Sequence, residues 1–122
     1  MNKRILVIED NEQNLFLLRC LLEAYGLEVL EASDGQTGIE MAKTLEPAAI
    51  LLDIQLPVMD GYAVATALRQ HKALDRVPII AVTSYAMLGD RERILAAGAT
   101  DYIEKPIDPD KFVEQLRKHV KW

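Results

Sequence analysis

Short apolar runs that alternate with segments of helical period constrain this chain more than any other feature. Residues 5–8, 49–52 and 78–82 are continuous and almost wholly apolar. Runs of this length, bounded by turn residues, read as strands buried on both faces. Two further strands, over 28–31 and 100–103, carry or adjoin charges (Glu28, Glu31, Asp101, Glu104), as the edges of a sheet tolerate. Between the strands, apolar spacing predicts helices over 14–25, 36–45, 62–71, about 88–97 and 109–119. Gly26 and Gly98 supply stops, and Pro47 follows the second helix closely. Asp34-Gly35 and Asp60-Gly61 read as turns.

Strand and helix thus alternate five times, which predicts a parallel sheet covered by helices on both faces. The charged strands belong at the edges. The order 2-1-3-4-5 follows: a flavodoxin-like, doubly wound α/β fold with five strands and five helices. At 122 residues the chain has the size of one domain, and no repeat or linker divides 1–122.

Composition narrows the function. The net charge is −5 with no basic cluster, so nucleic acid is not an expected partner. No apolar run approaches the roughly 20 residues that span a membrane, and the N-terminal run is too short for a signal peptide. A lone cysteine, Cys20, cannot form an internal disulfide, and a reducing cytoplasm is the expected location. His71 and His119 fall in polar helix ends and read as solvated surface.

In a sheet of this kind, ligands bind outside the carboxyl ends of the strands, near the switch point between strands one and three. The residues that follow the central apolar runs are Glu9 and Asp10, then Asp53, then Thr83; Lys105 follows strand five. Three carboxylates at one place resist ionising together unless a cation sits among them. A hard divalent ion suits them, and Mg²⁺ takes one or two carboxylates together with waters and phosphate oxygens. With a lysine and a hydroxyl added, the set suits a phosphoryl group. Each member has a plainer reading when taken alone: Asp53 as a cap of the next helix, and Thr83 as a cap likewise.

Taken together, these residues resemble the receiver domain of response regulators along almost the whole chain. The resemblance rests on Glu9-Asp10, on Asp53 within Leu-Asp-Ile-Gln-Leu-Pro-Val-Met-Asp-Gly, on Thr83 within Val-Thr-Ser-Tyr-Ala-Met, and on Lys105-Pro106. The segment Gly-Asp-Arg-Glu-Arg-Ile is similar to that of DivK-like single-domain regulators and of hybrid-kinase receivers.

The resemblance implies that Asp53 accepts a phosphoryl group from the phosphohistidine of a histidine kinase or phosphotransfer protein. It implies that Glu9, Asp10, Asp53 and the backbone carbonyl of Gln55 hold Mg²⁺, and that Lys105 pairs with the phosphoryl group beyond a cis bond to Pro106. It further implies that Thr83 and Tyr102 act as the switch, and that Gln55 and Tyr85 tune hydrolysis. Chemistry would be limited to the domain's own phosphorylation and dephosphorylation, in a two-component system or phosphorelay that ends on a downstream protein target. The domain would be a monomer, or a dimer only when phosphorylated. No output domain is expected within 1–122, whether the chain stands alone or is cut from a longer protein.

Plotted at about 100° per residue, Asn14, Leu17, Leu18, Leu21, Leu22 and Tyr25 share one face of the first helix and are the expected core stripe. Phe16 falls nearly opposite and Leu15 at the border. By resemblance, Leu15, Phe16, Pro106 and Ile107 form a docking patch for the histidine donor.

Two other classes compete: a pure binding module, whose expected mark, loss of one of the five site residues, is absent, and an enzyme or cofactor carrier. A flavodoxin would need a phosphate-binding loop after strand one, where Glu9-Asp10-Asn11 would repel a flavin phosphate. An aspartate-nucleophile phosphatase would carry Asp-x-Asp there, which is absent.

Overall fold

The computed structural model describes residues 2–84 and 88–122, without the side chains of Leu88 and Gly89. Five parallel strands, β1 (Arg4–Ile8), β2 (Glu28–Ala32), β3 (Ala49–Asp53), β4 (Ile79–Thr83) and β5 (Asp101–Glu104), form one sheet in the order β2-β1-β3-β4-β5. Between and after them run α1 (Glu12–Ala24), α2 (Gly35–Leu45), α3 (Gly61–Arg69), α4 (Leu88–Ala96) and α5 (Pro109–Arg117). This is the flavodoxin-like order expected from the charged edge strands. A single 3₁₀ turn, Lys72–Leu74, has no counterpart in the sequence reading.

The central strands carry two cores. Leu6, Ile8, Ile50, Leu52, Ile79 and Ala81 face α2, α3 and α4, meeting Ile39, Ala42, Val64, Ala65, Leu68 and Ile94. Ile5, Val7, Ala49, Leu51 and Ile80 face α1 and α5, meeting Leu18, Leu22, Phe112, Val113 and Leu116. Alternate side chains point to opposite faces of a strand, so both sets must be apolar when both faces are covered.

Three helix starts differ from expectation for one physical reason. Asn11, Asp34 and Asp60 are N-caps, accepting hydrogen bonds from the backbone N–H of Asn14, Thr37 and Ala63 at 3.0, 2.8 and 3.0 Å. Asp34-Gly35 and Asp60-Gly61 are therefore helix entries rather than free turns. Each such cap contributes about 1 kcal/mol.

The stripe on α1 is narrower than its wheel suggested. Only Leu18 and Leu22 are buried, Leu17 and Tyr25 are exposed, and Asn14 belongs to the site described below. Phe16 is 61% exposed, whereas Leu15 packs in part against the second core. His119 departs from the solvated reading: half-buried, its Nε2 lies 2.9 Å from Asp101 Oδ2. Among the described residues no helix is long and apolar enough to cross a membrane.

Candidate functional site

The carboxyl ends of β1 and β3 deliver the acidic residues. Ile8 pairs with Leu52 in the parallel register, so Glu9 and Asp53 emerge side by side. Oxygens of Glu9, Asp10 and Asp53 lie within 4.8 Å of one another. Glu9 and Asp53 are buried, at 2% and 4% exposure, while Asp10 is exposed. Lys105 follows β5, and its backbone N–H donates to the Thr83 carbonyl at 2.8 Å. Its Nζ lies 3.3 Å from Asp53 Oδ1 and 3.9 Å from Glu9 Oε1. The Lys105-Pro106 peptide bond is cis, as the resemblance implied.

Two backbone features hold Asp53 in place. Its Oδ1 accepts from the Gln55 N–H at 2.9 Å. Behind it, the first turn of α3 presses on the chain: a Cβ on Gly61 would stand 2.4 Å from Ile54 Cα and 2.7 Å from the Asp53 carbonyl oxygen. Both atoms are backbone and cannot move aside, so only glycine admits α3 this close.

Electrostatics sets Glu9 apart. Burial, then its hydrogen bond and charge contact with Asp53, push its carboxyl up to about 7, against the opposing effects of Asn14 and Lys105. Asn14 Nδ2 donates to Glu9 Oε1 at 3.0 Å. Sequence reasoning missed this role, having placed Asn14 in the core stripe. Its signal was position: an amide one turn into a helix that begins directly after the acidic pair.

The donor set fits a hard divalent cation. Its oxygens come from carboxylates that converge with Lys105 beside them, and a metal charge would offset the burial and the contact with Asp53 that push Glu9 up. A cleft lined by Glu9, Asp10, Asn11, Asn14, Asp53 and Gln55 opens above them.

Thr83 is fully buried at the end of β4, one residue past Val82, the register partner of Asp53. Tyr102 lies on β5 opposite Ala81, half-buried against the first core. Gln55 reaches across the cleft rim: its Oε1 accepts from Ser84 Oγ at 2.6 Å and from the Ser84 N–H at 3.3 Å. This link was not read from the sequence. Tyr85 lies outside the described residues. Phe16 and Pro106 are exposed, while Leu15 and Ile107 are half-buried against the second core.

Comparison with known proteins points one way. Residues 5–117 match the family described as the response regulator receiver domain. The chain is 40% identical over 120 residues to the polar-differentiation response regulator DivK of Brucella ovis, covering 98% of each chain. It is similar to the solved receiver domain of a Pseudomonas aeruginosa sensor histidine kinase, with 36% identity, a TM-score of 0.90 and 98% of each chain covered. That structure has a magnesium ion coordinated in its active-site cleft. A Vibrio cholerae chemotaxis response regulator superposes with a TM-score of 0.93 at 24% identity, covering 98% of this chain and 100% of that one, a likeness of fold.

Proposed function

The chain belongs to the response-regulator receiver family, whose work is phosphorylation-dependent switching in two-component signalling, and on that premise we propose that Asp53 is its phosphoacceptor. The observation that carries this reading is the convergence of Glu9, Asp10 and Asp53 with Lys105 Nζ 3.3 Å from Asp53 Oδ1. Asp53 forms a bond from its carboxylate oxygen to phosphorus as the phosphorus–nitrogen bond of a donor phosphohistidine breaks. The departing imidazole takes the electron pair. An acyl phosphate is covalent but labile, which suits a reversible signal.

Glu9, Asp10 and Asp53 with the Gln55 carbonyl would hold Mg²⁺, which would neutralise charge on the phosphoryl oxygens. The magnesium in the Pseudomonas receiver supports that choice. Lys105 supplies a compact positive charge to the same oxygens. Thr83 donates its hydroxyl to a phosphoryl oxygen, and Tyr102 turns toward the space Thr83 leaves. Gln55, already tied to Ser84, orients the rim of the cleft.

No single contact suffices for the switch. A hydrogen bond to a charged group contributes roughly 1.5–3 kcal/mol, whereas moving a two-state element from 1:99 to 99:1 needs about 5.5 kcal/mol. Thr83, Lys105 and the metal must therefore all favour the phosphorylated arrangement.

Residues 1–122 act as one receiver in the cytoplasm, with no reaction on other substrates. The donor, a histidine kinase or phosphotransfer protein, docks over Leu15, Phe16, Pro106 and Ile107, and a downstream protein reads the outcome. The domain is a monomer that pairs, if at all, on phosphorylation. Labelling with acetyl phosphate in Mg²⁺, followed by peptide mapping, tests the reading. Wild type takes one phosphoryl group on Asp53, and Asp53→Asn takes none. Undiminished labelling of Asp53→Asn would refute the assignment.

A further inference from the structure

Tyr102 is gripped by two helices. From α4, the Arg91 guanidinium lies over its ring, 5.1 Å from the centroid. From α5, Gln115 Nε2 donates to its backbone carbonyl at 3.1 Å. Of the described side chains on the helix that carries Arg91, only Ile94 is buried. On the opposite flank of α4, Arg93 stacks over Tyr62 of α3, 4.0 Å from the centroid.

The C-terminal end of α4 is fixed in another way. Thr66 Oγ1 donates to the Ala97 carbonyl at 3.3 Å, and Arg69 Nε to that of Gly98 at 2.8 Å. Arg69 also donates to the Leu74 and Val77 carbonyls at 2.7 and 2.9 Å, which makes it a rigid post. The helix is pinned at one end and held along its length by arginines lying on tyrosines.

We propose that Arg91 is a positioning residue for the switch, its guanidinium over the Tyr102 ring favouring the resting arrangement of β5 and α4. It thereby sets how readily the site takes up a phosphoryl group. This rests on reading Asp53 as the acceptor and Tyr102 as a ring that turns inward. The stack requires the ring where it now lies; a ring that turns toward Thr83 leaves the guanidinium behind on α4. An exposed cation over a ring biases such an equilibrium by about two- to five-fold. By linkage, its loss raises affinity for whatever binds the switched arrangement by the same factor.

The probe is beryllofluoride, an anionic phosphoryl mimic, titrated in Mg²⁺ into wild type, Arg91→Ala, Arg91→Lys, Tyr102→Ala and the Arg91→Ala/Tyr102→Ala double variant. Arg91→Ala should bind about two- to five-fold tighter, and Arg91→Lys should fall between it and wild type. In the Tyr102→Ala background, Arg91→Ala should add nothing. The sign discriminates, because removing a nearby positive charge by itself weakens anion binding. Arg91 is exposed, and thermal melts of each variant check that the fold is kept.

Unchanged or weaker binding by Arg91→Ala, or the same gain without the Tyr102 ring, overturns the proposal while leaving Asp53 as acceptor. Failure of wild type to take either beryllofluoride or a phosphoryl group from acetyl phosphate overturns both.

Discussion

Helices α3 and α4 flank the same side of the sheet, each with nine described residues, yet they are held by different means. α3 buries Gly61, Val64, Ala65 and Leu68 and presses its first turn against the backbone of Asp53 and Ile54. α4 buries Ile94 among its described side chains, with Arg91, Arg93 and the carbonyls at its C-terminal end making further contacts. One is part of the frame that fixes the Asp53 carboxylate. The other is attached, among the described residues, through one buried side chain and contacts at the surface. Elements that respond to ligands come from the low-stability end of a fold, and on the proposed reading α4 is the one that responds.

The largest effect that tests this contrast is in the cores. Leu68→Ala in α3 should destabilise the protein by about 2–5 kcal/mol. Leu95→Ala in α4, at a residue 43% exposed, should change stability by less than about 0.5 kcal/mol. Denaturant melts of the two variants measure this. Similar costs would erase the distinction.

A smaller effect belongs to the frame itself. With its carboxyl pushed up to about 7 by burial and Asp53, Glu9 in the metal-free fold keeps a proton that the unfolded chain has already released. The folded state therefore binds more protons between the ordinary value of 4.5 and about 7, and stability contributed by this group falls as pH rises through that window. A cation must displace the same proton. Apparent Mg²⁺ affinity should be about tenfold weaker near pH 6 than near pH 8, and Glu9→Gln should flatten that dependence. Calorimetric titration at the two pH values checks it; an unchanged slope in Glu9→Gln would place the titrating group elsewhere.

Much of this frame was legible in the sequence. Strands buried on both faces must be apolar runs, and Glu9, Asp10, Asp53, Thr83 and Lys105 are the residues that end or follow strands. Topology alone therefore brings them to one edge of the sheet. Helix starts were less legible, because Asn11, Asp34 and Asp60 serve equally as turn residues or caps, and the backbone conformation decides. The stripe on α1 was overdrawn at Leu17 and Tyr25, since periodicity gives the direction of a face but not the width its neighbours cover.

The ties around α4 and the cleft rim could not be read at all. Ser84 meets Gln55, Arg69 meets Gly98, and Arg91 meets Tyr102, each across a fold rather than along a segment. Nothing in their local sequence distinguishes an arginine that stacks on a tyrosine from one that points into water.

Hydrogen exchange of the backbone amides, with and without Mg²⁺ and beryllofluoride, measures the contrast between the two helices in a single experiment. Exchange should change on mimic binding in α4 and β5, while α3 keeps the same slow rates in both states. Equal changes in α3 and α4, or a change in α3 alone, would contradict the division of this receiver into a fixed frame and a responding edge.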